Sequence, residues 1–307
     1  MRVVSLLPSA TELLYALGVD PVGVSHSCDY PPGARGKPTL TSTTVAYGTD
    51  HSPLDIDEQV ADVEGPTYDL DRETLRDLDP DLVVTQATCE VCAVDAGAVV
   101  AAVESLEIDC EVVTLDPHGL EDVLDDVTRV GEAVGRAETA RDLEASLRRR
   151  VERVEETVAD GRSGEGRPTA LLLDWPDPVF VGGHWVPDLL RLAGADPTLH
   201  DDGPSRRVRW SDVRDADPDR LFVAPCGFPL DRALDSLDDL RSRPGWDDLA
   251  AVRAGEVFAL DGNGLVNRPG PRLVDSLETL AACLHPDLFD APAPDVACRV
   301  GSDRLSV

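Results

Sequence analysis

The sequence predicts an α/β fold in two halves, each a parallel sheet covered by helices, with a long helix between them. Three observations predict it. Short apolar runs alternate with helix-period segments through the first 118 residues, the same alternation restarts after residue 166, and the stretch 119–160 carries helical periodicity alone.

The elements follow in order. Val3 to Leu7 reads as a buried strand that stops at Pro8. Ser9 and Glu12 then form an S-x-x-E capping box ahead of Leu13, Leu14 and Leu17, with Gly18 as the stop. Val22 to Val24, Leu82 to Val84 and Val112 to Val113 supply further strands, separated by helical patterns around Leu75 to Leu78 and Val99 to Leu106. From Leu120 to Val158 the pattern becomes long helix, interrupted near Gly131 and Gly135. Leu143, Leu147, Val151, Val154 and Val158 recur at spacings of three and four. A continuous helix from Ala137 to Ala159 spans about 35 Å, enough to bridge two lobes.

Residues 160–166 form a flexible break. Beyond it, strands are expected at Ala170 to Leu173, Leu221 to Val223 and Val257 to Leu260, and helices near Pro187 to Leu192, Leu230 to Leu240 and Pro271 to Cys283. The organisation is therefore an N-terminal α/β lobe over 1–118, a helical region over 119–160 that includes the interlobe helix, a C-terminal α/β lobe over 166–285, and a loosely packed tail over 286–307.

Composition limits the function. With 59 acidic and 28 basic residues the formal net charge is -31, a field that repels phosphate backbones, so nucleic acid is excluded as a partner. Lys37 is the only lysine, and arginine with scattered aspartate is a halophilic composition in which acidity reflects habitat, since molar salt cuts the Debye length to about 3 Å. No apolar stretch approaches the ~20 residues of a membrane span. The N-terminus shows no apolar leader or small-residue cleavage site, so the chain as written is expected in the cytoplasm, and outside it or membrane-associated only if the start site is misassigned. Seven dispersed cysteines are not a disulfide scaffold. Neither a phosphate-binding G-x-x-x-x-G-K-[ST] loop nor a G-x-S-x-G elbow is present, and no enzyme activity is expected.

An ordered series of motifs carries a resemblance. It runs from Ser5-Leu6-Leu7-Pro8-Ser9-Ala10-Thr11-Glu12-Leu13 through Pro21-Val22-Gly23-Val24, Cys28-Asp29-Tyr30-Pro31-Pro32 and Leu78-Asp79-Pro80-Asp81-Leu82-Val83. It continues with Pro178-Val179-Phe180-Val181-Gly182-Gly183, Val208-Arg209-Trp210-Ser211 and Arg268-Pro269-Gly270-Pro271-Arg272. Across residues 2 to 285 the chain resembles the type III periplasmic binding proteins, and most closely their cobalamin-binding branch. The resemblance implies two Rossmann-like lobes joined by a rigid helix, a ligand cleft between them, an ABC importer permease as partner, and delivery without chemistry.

Binding a corrinoid takes broad apolar walls for the macrocycle and polar groups for its amide rim. Aromatics make up only 4% of the chain, and nearly all those of interest fall just after expected strands or in connecting loops. The candidate ligand contacts are Pro8, Ser9, Tyr30, Tyr47, Trp175, Gly183, His184, Trp185, Trp210 and Phe228, with Arg268 added by the resemblance. Trp175 leads, because it follows a strand directly. The carried ligand is then a corrinoid, cobalamin-like, or a related metal chelate, bound and not used for catalysis.

Two alternatives stand beside it. An iron-siderophore receptor would use cations such as Arg206, Arg207 and Arg209. A cytoplasmic metal-handling or redox protein would centre on Cys89-Glu90-Val91-Cys92, a C-x-x-C motif after an apolar strand. His26 and Cys28 follow another strand, so Cys28, Cys89, Cys92 and His26 make a candidate Cys3His metal set.

Overall fold

In a computed structural model, which describes residues 1–46, 48, 51–88, 93–162 and 166–301, the first apolar run becomes β1 (Val3–Ser5), buried throughout. Helix α1 (Pro8–Ala16) follows with Pro8 at its first position and Leu7 as an extended N-cap. The capping box expected at Ser9 does not form, because proline's fixed φ starts the helix one residue earlier and places Ser9 inside the first turn.

The first of two units comprises Met1–Gly48, Glu58–Pro117 and Glu121–Arg148. After α1 come β2 (Gly23–Val24), β3 (Thr41–Thr43), α2 (Pro53–Asp62), whose residues up to Asp57 belong to the second unit, β4 (Tyr68–Leu70), α3 (Arg72–Leu78), β5 (Leu82–Gln86), α4 (Ala96–Ser105) and β6 (Glu111–Leu115). Strands β2-β1-β5-β6 form a parallel sheet in that order. Val4, Leu6, Leu40, Leu75, Val83 and Val99 pack together as its core. Asp71 and Asp95 accept the N–H groups of Thr74 and Ala98, which caps α3 and α4. Strands β3 and β4 pair antiparallel as a small satellite.

Helix α5 (Leu120–Ala133) runs through Gly131, and the turn comes at Gly135, whose φ of 67° suits glycine. Gly131 is needed for close approach instead: a Cβ there would stand 2.1 Å from the Cβ of Ala140 in α6 (Ala137–Gly161). Gly131→Ala is expected to cost about 1–3 kcal/mol by overpacking, read as a lower urea midpoint. Leu147, Val151 and Val154 are buried as their spacing predicts. The boundary between the units falls inside α6, and each half is tied to its own unit. Arg148 pairs with Glu121, Asp125 and Glu144, whereas Arg150 pairs with Asp275 and Glu278.

The second unit comprises Thr49–Asp57, His118–Leu120 and Arg149–Val307. It contains β7 (Thr169–Pro176), β8 (Val179–Val181), α7 (Val186–Leu192), β9 (Asp196–Pro197), β10 (Arg206–Arg207), α8 (Trp210–Ala216), β11 (Arg220–Val223), α9 (Leu230–Asp235), α10 (Leu237–Arg241), α11 (Ala250–Ala254), β12 (Val257–Leu260), α12 (Leu273–Leu284) and β13 (Ala297–Arg299). The sheet order is β10-β8-β7-β11-β12-β13, with β9 on β7. Strands β7, β11 and β12 are parallel, and β8, β10 and β13 antiparallel. The tail expected to pack loosely instead supplies β13, which covers the free edge of β12 and buries Ala297 and Val300.

Candidate functional site

Several candidate residues fall at the C-terminal ends of the second unit's parallel strands, the edge where α/β sheets present ligands. Leu171 to Leu173 of β7 are fully buried, and the strand then bulges between Leu173 and Trp175. Trp175 therefore sits in the last turn of the strand's pleat, half-buried, and not in the loop beyond it. Its indole N–H donates to the Pro53 carbonyl at 3.2 Å, and its ring meets Phe228 edge-on, 5.2 Å between centroids at 62°. Phe228, in the loop after β11, is only 1% exposed. The Arg232 guanidinium lies 3.7 Å over the Phe228 ring and donates to the His51 carbonyl at 3.0 Å. Burial pulls the Arg232 pKa down. In the sequence this arginine has one signal, its place four residues after Phe228.

Next to β7, Gly183 allows the 182–184 turn to press against another loop: a Cβ there would fall 2.3 Å from the backbone of Pro204 and Ser205. Its N–H donates to Ser205 Oγ at 3.1 Å, and that hydroxyl donates to Asp174. Burial pushes the Asp174 carboxyl up to about 6, and its Oδ1 is enclosed without a hydrogen bond among the described residues. His184 holds a left-handed φ of 54° and donates its N–H to Gly203 O at 2.7 Å. Trp185 is 7% exposed, begins α7 as its N-cap, and donates its indole N–H to Val266 O at 2.5 Å.

Trp210 is anchored in its own unit, stacked 6.2 Å from Trp246 with its N–H on Pro244 O at 2.9 Å. Arg243 links it to the end of β7: the guanidinium is 5.7 Å from the Trp210 ring and donates to Pro176 O and Asp177. Arg268 is buried, with Nη2 on Asn263 Oδ1 at 3.0 Å.

In the first unit, Pro8 is half-buried, Ser9 is buried and Tyr30 is 47% exposed. Tyr47, Cys89 and Cys92 lie outside the described residues. His26 Nδ1 bonds Thr41 Oγ1 at 2.7 Å, its ring packs 5.2 Å from Tyr68, and burial lowers its pKa. Cys28 is buried with Sγ 3.0 Å from Thr11 Oγ1. Hydroxyls thus engage both residues, and among the described residues no group of three or more His, Cys, Asp or Glu is arranged to hold a metal.

A cavity of about 700 Å³ opens at the other, N-terminal edge of the second sheet, among Arg162, Arg167, Arg191, Arg220 and His285. Helices α6, α7 and α12 end there, and the cations serve those ends: Arg167 donates to Arg191 O and the His285 ring bonds Ala193 O. Carboxylates of Asp287, Asp196, Asp188 and Glu256 balance the arginines. With no Phe, Tyr or Trp in its lining, this cavity offers a macrocycle no flat wall.

Known proteins share this architecture. A family model described as periplasmic binding protein matches residues 3–263. An ABC transporter substrate-binding lipoprotein of Bacillus subtilis is 25% identical over 94% of this chain and 81% of its own length. A vitamin B12-binding protein of Vibrio cholerae is 24% identical over 92% of this chain and 88% of its own. The crystal structure of a periplasmic haem-binding protein from Pseudomonas aeruginosa superimposes with a TM-score of 0.72 at 24% identity, covering 98% of this chain and 99% of that one. These relatives overturn the expectation of a cytoplasmic protein, since they are periplasmic or lipoprotein solute binders. The apolar run at residues 3–7 is the first strand and its exit, so its brevity carries no information about compartment.

Proposed function

Given that this chain belongs to the periplasmic binding protein family, and so is a solute-binding protein of the ABC import class, we infer that its solute is a corrinoid of the cobalamin type. The observation that carries this reading is the aromatic corner at the strand ends, where Trp175 stands edge-on to a fully buried Phe228. A corrin needs such a flat apolar surface, and the fixed indole is ordered before ligand arrives, which lowers the entropy lost on binding. Trp210, linked to the end of β7 through Arg243, is a further proposed wall. Gly183, His184, Trp185 and Arg268 are the further proposed contacts of the same unit. The vitamin B12-binding relative supports the same ligand class.

Arg232 favours a second reading, an anionic chelate such as haem or a ferric siderophore. Its guanidinium already lies on Phe228, and a carboxylate-bearing ligand would gain a charge-assisted partner there. The test is titration of the whole chain, at low and molar salt, with aquocobalamin, dicyanocobinamide, haemin and a ferric siderophore, following absorbance and melting temperature. One equivalent of corrinoid is expected to bind and raise the melting temperature. Unchanged spectra and melting with both corrinoids would overturn the first reading, and saturation by haemin or the siderophore alone would establish the second.

A further inference from the structure

We propose that His118 and His184 form a two-imidazole site for a divalent transition-metal ion of the zinc, nickel and copper group. Their ring centroids are 5.8 Å apart with planes 34° apart. Two imidazoles bound through nitrogen at about 2.0–2.1 Å to one ion place their centroids roughly 5–6 Å apart, a range that includes the observed ring separation.

His184 is the preorganised member. A left-handed backbone is unfavourable for a residue with a Cβ, and it persists only where its surroundings enforce it. Here the enforcement is explicit: the His184 N–H is bound to Gly203 O, Gly183 admits the neighbouring loop, and the ring stacks at 5.5 Å and 25° on Trp185, whose indole is anchored on Val266. His118 is the accessible member, exposed on the short His118–Leu120 segment that belongs to the same unit. Negative charge is close by. Asp188, whose Oδ1 also accepts from Arg191, has its Oδ2 2.9 Å from where a Cβ on Gly119 would stand.

Neutral imidazole suits borderline ions and discriminates against calcium and magnesium, which take oxygen ligands. Among the described residues no third His, Cys, Asp or Glu completes the set. The ion would therefore keep positions open to water or to donor atoms of a solute, the arrangement of a metal that binds further ligands and not of one that only braces a fold.

The experiment uses full-length, tag-free protein carrying Cys89→Ser and Cys92→Ser, so that thiols do not compete. It is titrated with nickel and copper salts near neutral pH by calorimetry, and the copper form is examined by electron paramagnetic resonance. One equivalent is expected, with two nitrogen ligands in the copper spectrum. His118→Gln and His184→Asn should each weaken binding at least about tenfold, the size of effect that even outer-shell changes produce at metal sites. Asparagine is chosen because it tolerates a left-handed backbone. Absence of binding in the parent, or undiminished affinity in either variant, overturns the proposal. Should a variant fail to fold, the parent's copper spectrum decides, and fewer than two nitrogen ligands overturns it.

Discussion

Phe228→Ala is expected to abolish solute binding and to destabilise the second unit by about 3–5 kcal/mol. The ring is 1% exposed, supports Trp175 on one side and carries the Arg232 guanidinium. Removing it leaves a cavity that neighbours from two strand ends and a helix cannot all close, and it withdraws the π face from a partly desolvated cation. Trp175→Ala separates fold from function. That ring is half-buried and contributes one hydrogen bond to the interior, so its loss should cost about 1–2 kcal/mol of stability. Affinity should fall about hundredfold, as for a central aromatic anchor. Urea unfolding and equilibrium titration on the two variants check both halves of the argument. Wild-type affinity in a folded Trp175→Ala protein would remove the aromatic corner from the site.

How legible the molecule was in sequence depends on how local the cause of each feature is. Strands β1, β5, β7, β11 and β12 announce themselves because a parallel strand covered on both faces is a continuous apolar run. The outer strands do not, since Asp196–Pro197 and Arg206–Arg207 are two-residue pairings whose only cause is the neighbouring strand. Strand β13 was hidden for the same reason, being set by the exposed edge of β12 and not by the polarity of its own residues. At the site, Trp175 and Phe228 could be picked out as aromatics near strand ends, but their contact joins residues 53 apart in the chain. Trp185 reads as a residue in a glycine turn, whereas its role is fixed by Val266, 81 residues away. His26 and Cys28 have the chemistry of soft metal ligands in any sequence. Their observed bonds go to Thr41 and Thr11, two hydroxyls that no spacing rule singles out.

Acid sensitivity should trace to His200, in a form the wild-type protein conceals. The Leu172 N–H donates to Nε2 at 3.1 Å, so Nε2 must carry a lone pair, and Nδ1 faces the Gly182 carbonyl at 2.6 Å, so Nδ1 must carry the proton. Protonating Nε2 would set two N–H groups against each other. Burial, with smaller contributions from Arg206 and Arg191, lowers this pKa from 6.5 to about 4. The fold thus disfavours the charged form, and the associated stability is complete above pH 6.5 and is lost as pH falls through about 4, at most about 3 kcal/mol. Asp174 works in the opposite sense: its pKa rises from 3.8 to about 6, so its contribution is complete below 3.8 and is lost as pH climbs through 6. Between pH 4 and 6 the two slopes largely cancel. Asp174→Asn removes one of them and leaves an acceptor for Ser205, so this variant should lose stability on acidification more steeply than wild type by about 1.4 kcal/mol per pH unit. Adding His200→Gln should flatten the curve again, because the glutamine amide does not titrate. Denaturation free energies at closely spaced pH values measure both slopes, and equal slopes with and without His200 would mean that the imidazole takes up its proton freely in the folded state.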